Sequence, residues 1–313
     1  MNNIWCTLVM LGDSYASGAA VMAETLRRTG TQYQIYCMIT PCVSREAATF
    51  LEEVFDRVIR VPLLTRTTIP MKSKKQRDIY GRWINHSFTK WNILNPALFS
   101  HQCKIILLDA DMVFYENCDD LFDLAAPALT YSMPWTKPYA NGRSALDNVY
   151  GVLDHGVIVP SKRIQKGLDS NFVGIGGMVL VEPSARTWDI YMNIFNGKRA
   201  YGHPKCLSGF DEQILSETFV RAGLTVRHIH QEYNWIAGKY NWLTAGQIPR
   251  TRQFYNSKPW LESREDSEWD DVREWYEIWD CVLMMHPDGE FLVKPVPSRD
   301  AAASAEAFSL EKK

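Results

Sequence analysis

Short apolar runs alternate with stretches in which apolar residues recur every three or four positions over the first third of the chain. Trp5 to Leu11 reads as a strand, and Ser17 to Arg28 as a helix closed by Gly30. Tyr33 to Thr40 repeats the strand pattern and stops at Pro41. Ser44 to Phe55 repeats the helical one behind a capping serine, and Val58 to Val61 is a third short strand. Gly81 to Leu94 reads as a helix. It feeds towards Lys104-Ile-Ile-Leu-Leu108, a run so uniformly apolar that a strand buried on both faces is expected. Alternation of this kind predicts an α/β fold: a single domain with a mostly parallel central sheet flanked by helices. Ligands of such sheets sit at the carboxyl ends of the strands.

From 125 to 171 the periodicity loosens, with Pro134, Pro138, Pro160, several glycines and many Trp and Tyr residues. This reads as an excursion on the sheet, near the acceptor side of a site, rather than as a linker. Gly176 to Val181 restores a strand and Thr187 to Phe195 a helix. Trp269, Val272, Trp275, Tyr276, Trp279, Val282 and Leu283 share one helical face, which reads as a core-packing stripe. One domain is expected over 1–297, followed by a small, polar, flexible tail at 298–313.

Composition narrows the class without naming it. The 313 residues carry a net charge of −2, which argues against a general nucleic-acid or anionic-membrane binder. No window approaches 18 uncharged apolar residues, and the amino terminus lacks a basic segment followed by an apolar one. No membrane insertion is expected, and a cytoplasmic location is. The seven cysteines (Cys6, Cys37, Cys42, Cys103, Cys118, Cys206, Cys281) form no C-x-x-C pair and read as reduced thiols.

The chemistry begins at Asp109-Ala110-Asp111. Two carboxylates one residue apart close a buried strand, an expensive placement unless something positive sits on them. Alternate residues of an extended segment point the same way, so both acids can face one hard cation carrying phosphates. Gly174-Ile-Gly-Gly177 precedes a strand rather than following one, which disfavours a dinucleotide loop. No G-x-x-x-x-G-K is present.

Four ordered segments then resemble glycosyltransferase family 8, the GT-A fold group that includes glycogenin and galactinol synthase. They are Leu11-Gly-Asp-Ser-Tyr15 with Gly18-Ala-Ala, Phe88-Thr-Lys90-Trp, Leu107-Leu-Asp109-Ala-Asp111, and Lys258-Pro-Trp260. Gly176-Gly177 through Glu182-Pro-Ser184 resembles the family's sugar-pocket strand, and Phe210-Asp-Glu-Gln213 its helix start with an acid and an amide. The resemblance implies a retaining transfer of a hexose, glucose or galactose first, from a UDP-sugar donor. It implies Mn²⁺, with Mg²⁺ as the alternative. Asp109 and Asp111 would hold the metal, and Lys90 and Lys258 would meet the donor phosphates. Leu11 and Tyr15 would flank the uracil with Asp13 near the nucleoside, while Ala110, Gly176 and Gly177 would line the donor site. Glu212, with Asp211 and Gln213 beside it, would face the transferred sugar. The acceptor class stays open among saccharide, polyol and protein, and a homodimer is left open.

The chain also departs from the family pattern. The family's metal-binding histidine precedes the K-P-W lysine by six or seven residues, where this chain has Arg252 and Thr251. Gln253, or His286 from a later loop, is the candidate replacement, and Arg252 is an alternative source of positive charge. The family's sugar-pocket asparagine falls on Ile175. A nucleotide-sugar-binding module without turnover is therefore the second reading. A nucleotidyltransferase would need a basic glycine-rich loop, and Leu11–Tyr15 is not basic. His228 and His230 read as structural, and His155-Gly156 as a turn or an acceptor contact.

Overall fold

The computed structural model describes residues 3–70, 74, 77–78, 81–99, 103–131, 153–170, 173–197, 210–238, 249–255, 257–265 and 267–294. The 298–313 tail and the centre of the 125–171 excursion lie outside the described residues.

The strands and helices of the first half form where the pattern put them: β1 (Ile4–Val9), α1 (Ala16–Arg28), β2 (Gln34–Ile39), α2 (Arg45–Val54) and β3 (Arg57–Arg60). The Ser44 side chain caps α2 by accepting the Ala47 N–H at 3.1 Å. The expected helix before the acid pair is instead an eleven-residue 3-10 helix, Ile84–Leu94. Its residues explain this. Ser87 donates to the Ile84 carbonyl at 2.9 Å and the Asn92 amide to the Thr89 carbonyl at 2.9 Å, three-residue steps that compete with α-helical pairing.

The chain continues through β4 (Ile105–Leu108), β5 (Met112–Phe114), β6 (Ala128–Thr130), β7 (Ile158–Val159), α3 (Ser161–Ser170), β8 (Ile175–Val181) and α4 (Ala185–Phe195). It goes on through α5 (Phe210–Arg221), β9 (Val226–His228), β10 (Trp235–Ile236), β11 (Thr251–Gln253) and α6 (Asp270–Met285), and its described part closes on a short 3-10 helix, Pro287–Leu292. The eight-stranded sheet runs β3-β2-β1-β4-β8-β6-β9-β7, and a second sheet runs β10-β11-β5. The large sheet is mixed. β3, β2, β1 and β4 pair in parallel, whereas β8 runs antiparallel to both β4 and β6. The ends of the loose excursion supply β6, β7 and α3, so that region is partly built into the sheet.

Strand alternation builds two cores, one on each face. Trp5, Val9, Ile106, Leu108, Met178 and Leu180 face the side covered by α1, α2 and α6. Ile4, Leu8, Ile105, Leu107, Val179 and Val181 face the side of the 3-10 helix, α4 and α5. In α6 the expected Val272, Trp275, Tyr276, Trp279 and Val282 are buried, joined by Ile278, while Leu283 is only partly buried against the same core. Trp269 is not part of it: it precedes the helix and is 61% exposed.

Small residues let α1 approach the carboxyl edge of the sheet. A Cβ on Gly18 would lie 2.5 Å from the Trp260 ring and 2.7 Å from the Ala110 carbonyl. Gly18→Ala is thus expected to destabilise by about 1–3 kcal/mol through overpacking, read in a denaturant melt. An unchanged midpoint would show that Trp260 and the acid-pair turn are free to shift.

Candidate active site

The acid pair sits where the chain crosses between sheets. Asp109 extends the large sheet, its N–H donating to the Gly177 carbonyl at 2.9 Å. Asp111 leads into the small sheet, its carbonyl accepting from Phe254 N–H at 2.9 Å. Ala110 and Asp111 form a turn. The two carboxylates therefore converge through this turn, not through alternation along one extended strand as the sequence suggested.

All four carboxylate oxygens are engaged. Asp109 Oδ1 lies 2.5 Å from Lys90 Nζ, and Asp109 Oδ2 accepts from Gln253 Nε2 at 2.8 Å. Asp111 Oδ1 accepts from the same nitrogen at 3.2 Å, and Asp111 Oδ2 pairs closely with Lys258 Nζ. The 3-10 helix delivers Lys90. Gln253 closes β11, aligned with Met112 of β5 and Ile236 of β10. Burial raises the Asp109 pKa, with Lys90 opposing and Asp111 adding to the rise. Burial works against the Lys90 charge, yet Asp109, Asp211 and Glu212 outweigh it and hold the ammonium charged.

The other expected residues divide by position. Tyr15 packs edge-on against Trp260, ring centroids 5.3 Å apart, and Lys258 Nζ stands 5.9 Å above the Tyr15 ring. Leu11 has a φ of 61°, a left-handed conformation costly for a branched side chain and found at ligand clamps. Asp13 Oδ1 accepts the Ser44 N–H at 2.8 Å, tying the loop after β1 to the start of α2. Glu212, in the first turn of α5, accepts the Gly176 N–H at 3.1 Å through Oε1, while its Oε2 has no partner among the described residues. Asp211 and Gln213 are buried beside it.

His286 is not brought to the acids. It follows α6 and stands 3.6 Å from Glu53 and edge-on to Phe50, near the far end of α2 from Ser44. Arg252 turns away too, pairing with Asp271 at 2.9 Å and Glu274 at 3.1 Å. The histidines at 155, 228 and 230 cluster elsewhere. His228 is fully buried, its Nδ1 accepts the Tyr131 N–H at 3.1 Å, and burial lowers its pKa to about 3. Ile175 opens β8. Asn234, absent from the sequence motifs, lies beside Gln253 and Gly177.

Glu212 gives the site a pH signature. Burial and the neighbouring Asp211 push its carboxyl up to about 8 despite Lys90. An unfolded glutamate releases its proton near 4.5, so the folded state holds a proton that the unfolded state has lost. The stability this group contributes is complete below the unfolded value and is lost as pH rises through the folded one. Thermal melts should show Tm falling across that window, and Glu212→Gln should flatten the fall. Parallel profiles for the two proteins would show that Glu212 titrates elsewhere.

No family model matches the chain. It is 26% identical over 289 residues to the uncharacterised protein R707 of Acanthamoeba polyphaga mimivirus, covering 88% of this chain and 91% of that one. It is 37% identical over 118 residues to glycogenin of Neurospora crassa and 31% over 142 residues to glycogenin-1 of Caenorhabditis elegans. Over those stretches the chain is similar to glycogenin. The match covers 37% and 45% of the chain but only 16% and 31% of those two glycogenins. Among solved structures, the fold resembles the galactosyltransferase LgtC in complex with donor and acceptor sugar analogs. That match has a TM-score of 0.53 at 12% identity and covers 94% of this chain and 98% of LgtC. The bifunctional glycosyltransferase WbbM aligns with a TM-score of 0.56 at 14% identity, over 89% of this chain and 50% of WbbM. At those identities the likeness speaks for the GT-A fold. Among the described residues, no helix is long and apolar enough to cross a membrane.

Proposed function

We propose that the chain is a retaining glycosyltransferase that moves a hexose, glucose or galactose, from a UDP-sugar to a saccharide, polyol or protein acceptor. The convergence of Asp109, Asp111, Lys90 and Lys258 at the carboxyl end of β4 carries this reading, and the similarity to glycogenin supports it.

The donor set fits a divalent cation. One oxygen from each acid already approaches a single nitrogen, Gln253 Nε2, so both carboxylates can serve one centre. Asp109 and Asp111 would hold Mn²⁺, or Mg²⁺ as the alternative, with Gln253 offering its amide oxygen as a hard ligand. A bound cation would supply charge stabilisation for a departing UDP.

The chain's own residues account for the rest. A cation on the acid pair would free Lys90 and Lys258 from part of their pairing and let both ammoniums face the diphosphate. They would be fixed positive charges where negative charge grows as the sugar–phosphate bond breaks. Tyr15, held by Trp260, and Leu11 would flank the base, with Asp13 at the nucleoside. Gly176 and Gly177 let Glu212 and Gln253 pack closely against β8, since a Cβ on Gly176 would stand 3.0 Å from Glu212 Oε1 and one on Gly177 2.7 Å from Gln253 Oε1. Glu212, held by the Gly176 N–H, would present Oε2 to the sugar hydroxyls, with Asp211 and Gln213 fixing the start of α5.

A binding module without turnover is the second reading, favoured by the glutamine in place of histidine and by lysines on both acids. Release of UDP from UDP-glucose and UDP-galactose with Mn²⁺ separates the two. Slow donor hydrolysis supports the transferase, whereas tight UDP binding with no release from any UDP-sugar supports the module.

A further inference from the structure

The amide of Asn234 is unused by the donor-site reading. Asn234 is only 2% exposed, and among the described residues neither Oδ1 nor Nδ2 has a hydrogen-bond partner. Buried amides are normally paired, so both ends idle at once needs a reason. The residue sits between a 3-10 turn, Gln231–Tyr233, and β10, whose Ile236 aligns with Gln253. A Cβ on Gly177 would lie 3.0 Å from Asn234 Nδ2 and 2.7 Å from Gln253 Oε1. The two amides thus both pack against the backbone of Gly177, next to one another.

Gln253 presents its nitrogen to the acids, the arrangement that satisfies two bare carboxylates. Its two ends are nearly the same size, so a half-turn of the amide exchanges them without repacking. With Oε1 towards Asp109 and Asp111, three oxygens would repel unless a cation lay among them. The displaced Nε2 would then face Asn234 and need an acceptor.

We propose that Asn234 is a positioning residue whose side-chain oxygen receives the Gln253 Nε2 hydrogens when that amide turns over, making Gln253 an oxygen ligand for a divalent cation on the acid pair. The proposal rests on the reading that a cation sits on Asp109 and Asp111. It gives the glutamine of this chain the kind of supporting hydrogen bond that orients metal ligands generally.

The test is Mn²⁺ binding to the full chain with saturating UDP, followed by loss of the free-ion EPR signal. Asn234→Ala is expected to weaken Mn²⁺ by about tenfold or more, the usual scale for losing such support. Asn234→Asp, which keeps an oxygen acceptor, should bind close to the unmodified protein. In a Gln253→His background no amide needs holding, so adding Asn234→Ala should change nothing. Asn234→Leu, similar in shape and unable to accept, carries the test where Asn234→Ala does not fold. Unchanged Mn²⁺ affinity without the Asn234 acceptor, beside a binding unmodified protein, overturns the proposal. So does an equal loss with and without Gln253→His. Absence of Mn²⁺ binding by both the unmodified protein and Gln253→His instead brings down the metal reading on which the proposal stands.

Discussion

Asp111→Ala is expected to cut UDP release from a UDP-sugar by about a hundredfold or more, the scale on which single groups stabilise a developing charge. Asp109→Ala should do the same. Each acid supplies one oxygen to the shared point now occupied by Gln253 Nε2, and each also tethers a lysine. Removing either one would leave a cation a single carboxylate and release an ammonium from its place. The rates are read in steady state with Mn²⁺, alongside thermal melts that report folding. Release equal to that of the unmodified protein from both variants would remove the acid pair from the chemistry.

Lys90→Met carries the second large effect, this time on stability. Lys90 is the counter-charge to Asp109, Asp211 and Glu212 together. Removing one partner of a buried pair leaves uncompensated charge and costs about 3–5 kcal/mol. Equilibrium unfolding at neutral pH should show that loss. The loss should shrink as pH falls, because Asp109, whose pKa burial raises and Lys90 holds down, becomes protonated once that partner is gone. A pH-independent loss would mean that Lys90 contributes packing rather than charge. No loss at all would show that the three acids do not depend on it.

Much of this site was legible in residue types because local pattern and tertiary position agree there. The apolar Lys104–Leu108 run could only be a buried strand, and acids at its carboxyl end had to be paired. The mixed sheet was not legible. β8 reads as the same apolar strand whichever way it runs, and its direction is set by partners β4 and β6, not by its own residues. The 3-10 helix was missed because Ile84–Leu94 has helical spacing, while its Ser87 and Asn92 side chains favour tighter steps. His286 looked equivalent to Gln253 by chemistry alone. The folded chain separates them, since β11 pairs with the strand following the acids and α6 carries His286 to Glu53. Asn234 left no trace in the motifs, because its place beside Gln253 follows from the β10–β11 pairing.

The central claim is that Asp109 and Asp111 anchor the diphosphate of a nucleotide through a divalent cation. Calorimetric titration of UDP into the unmodified protein and into an Asp109→Ala, Asp111→Ala double variant, each with Mn²⁺ and with a chelator, tests it most directly. Tight UDP binding is expected only for the unmodified protein with Mn²⁺. Binding of UDP that is the same with chelator, or the same in the double variant, would contradict it.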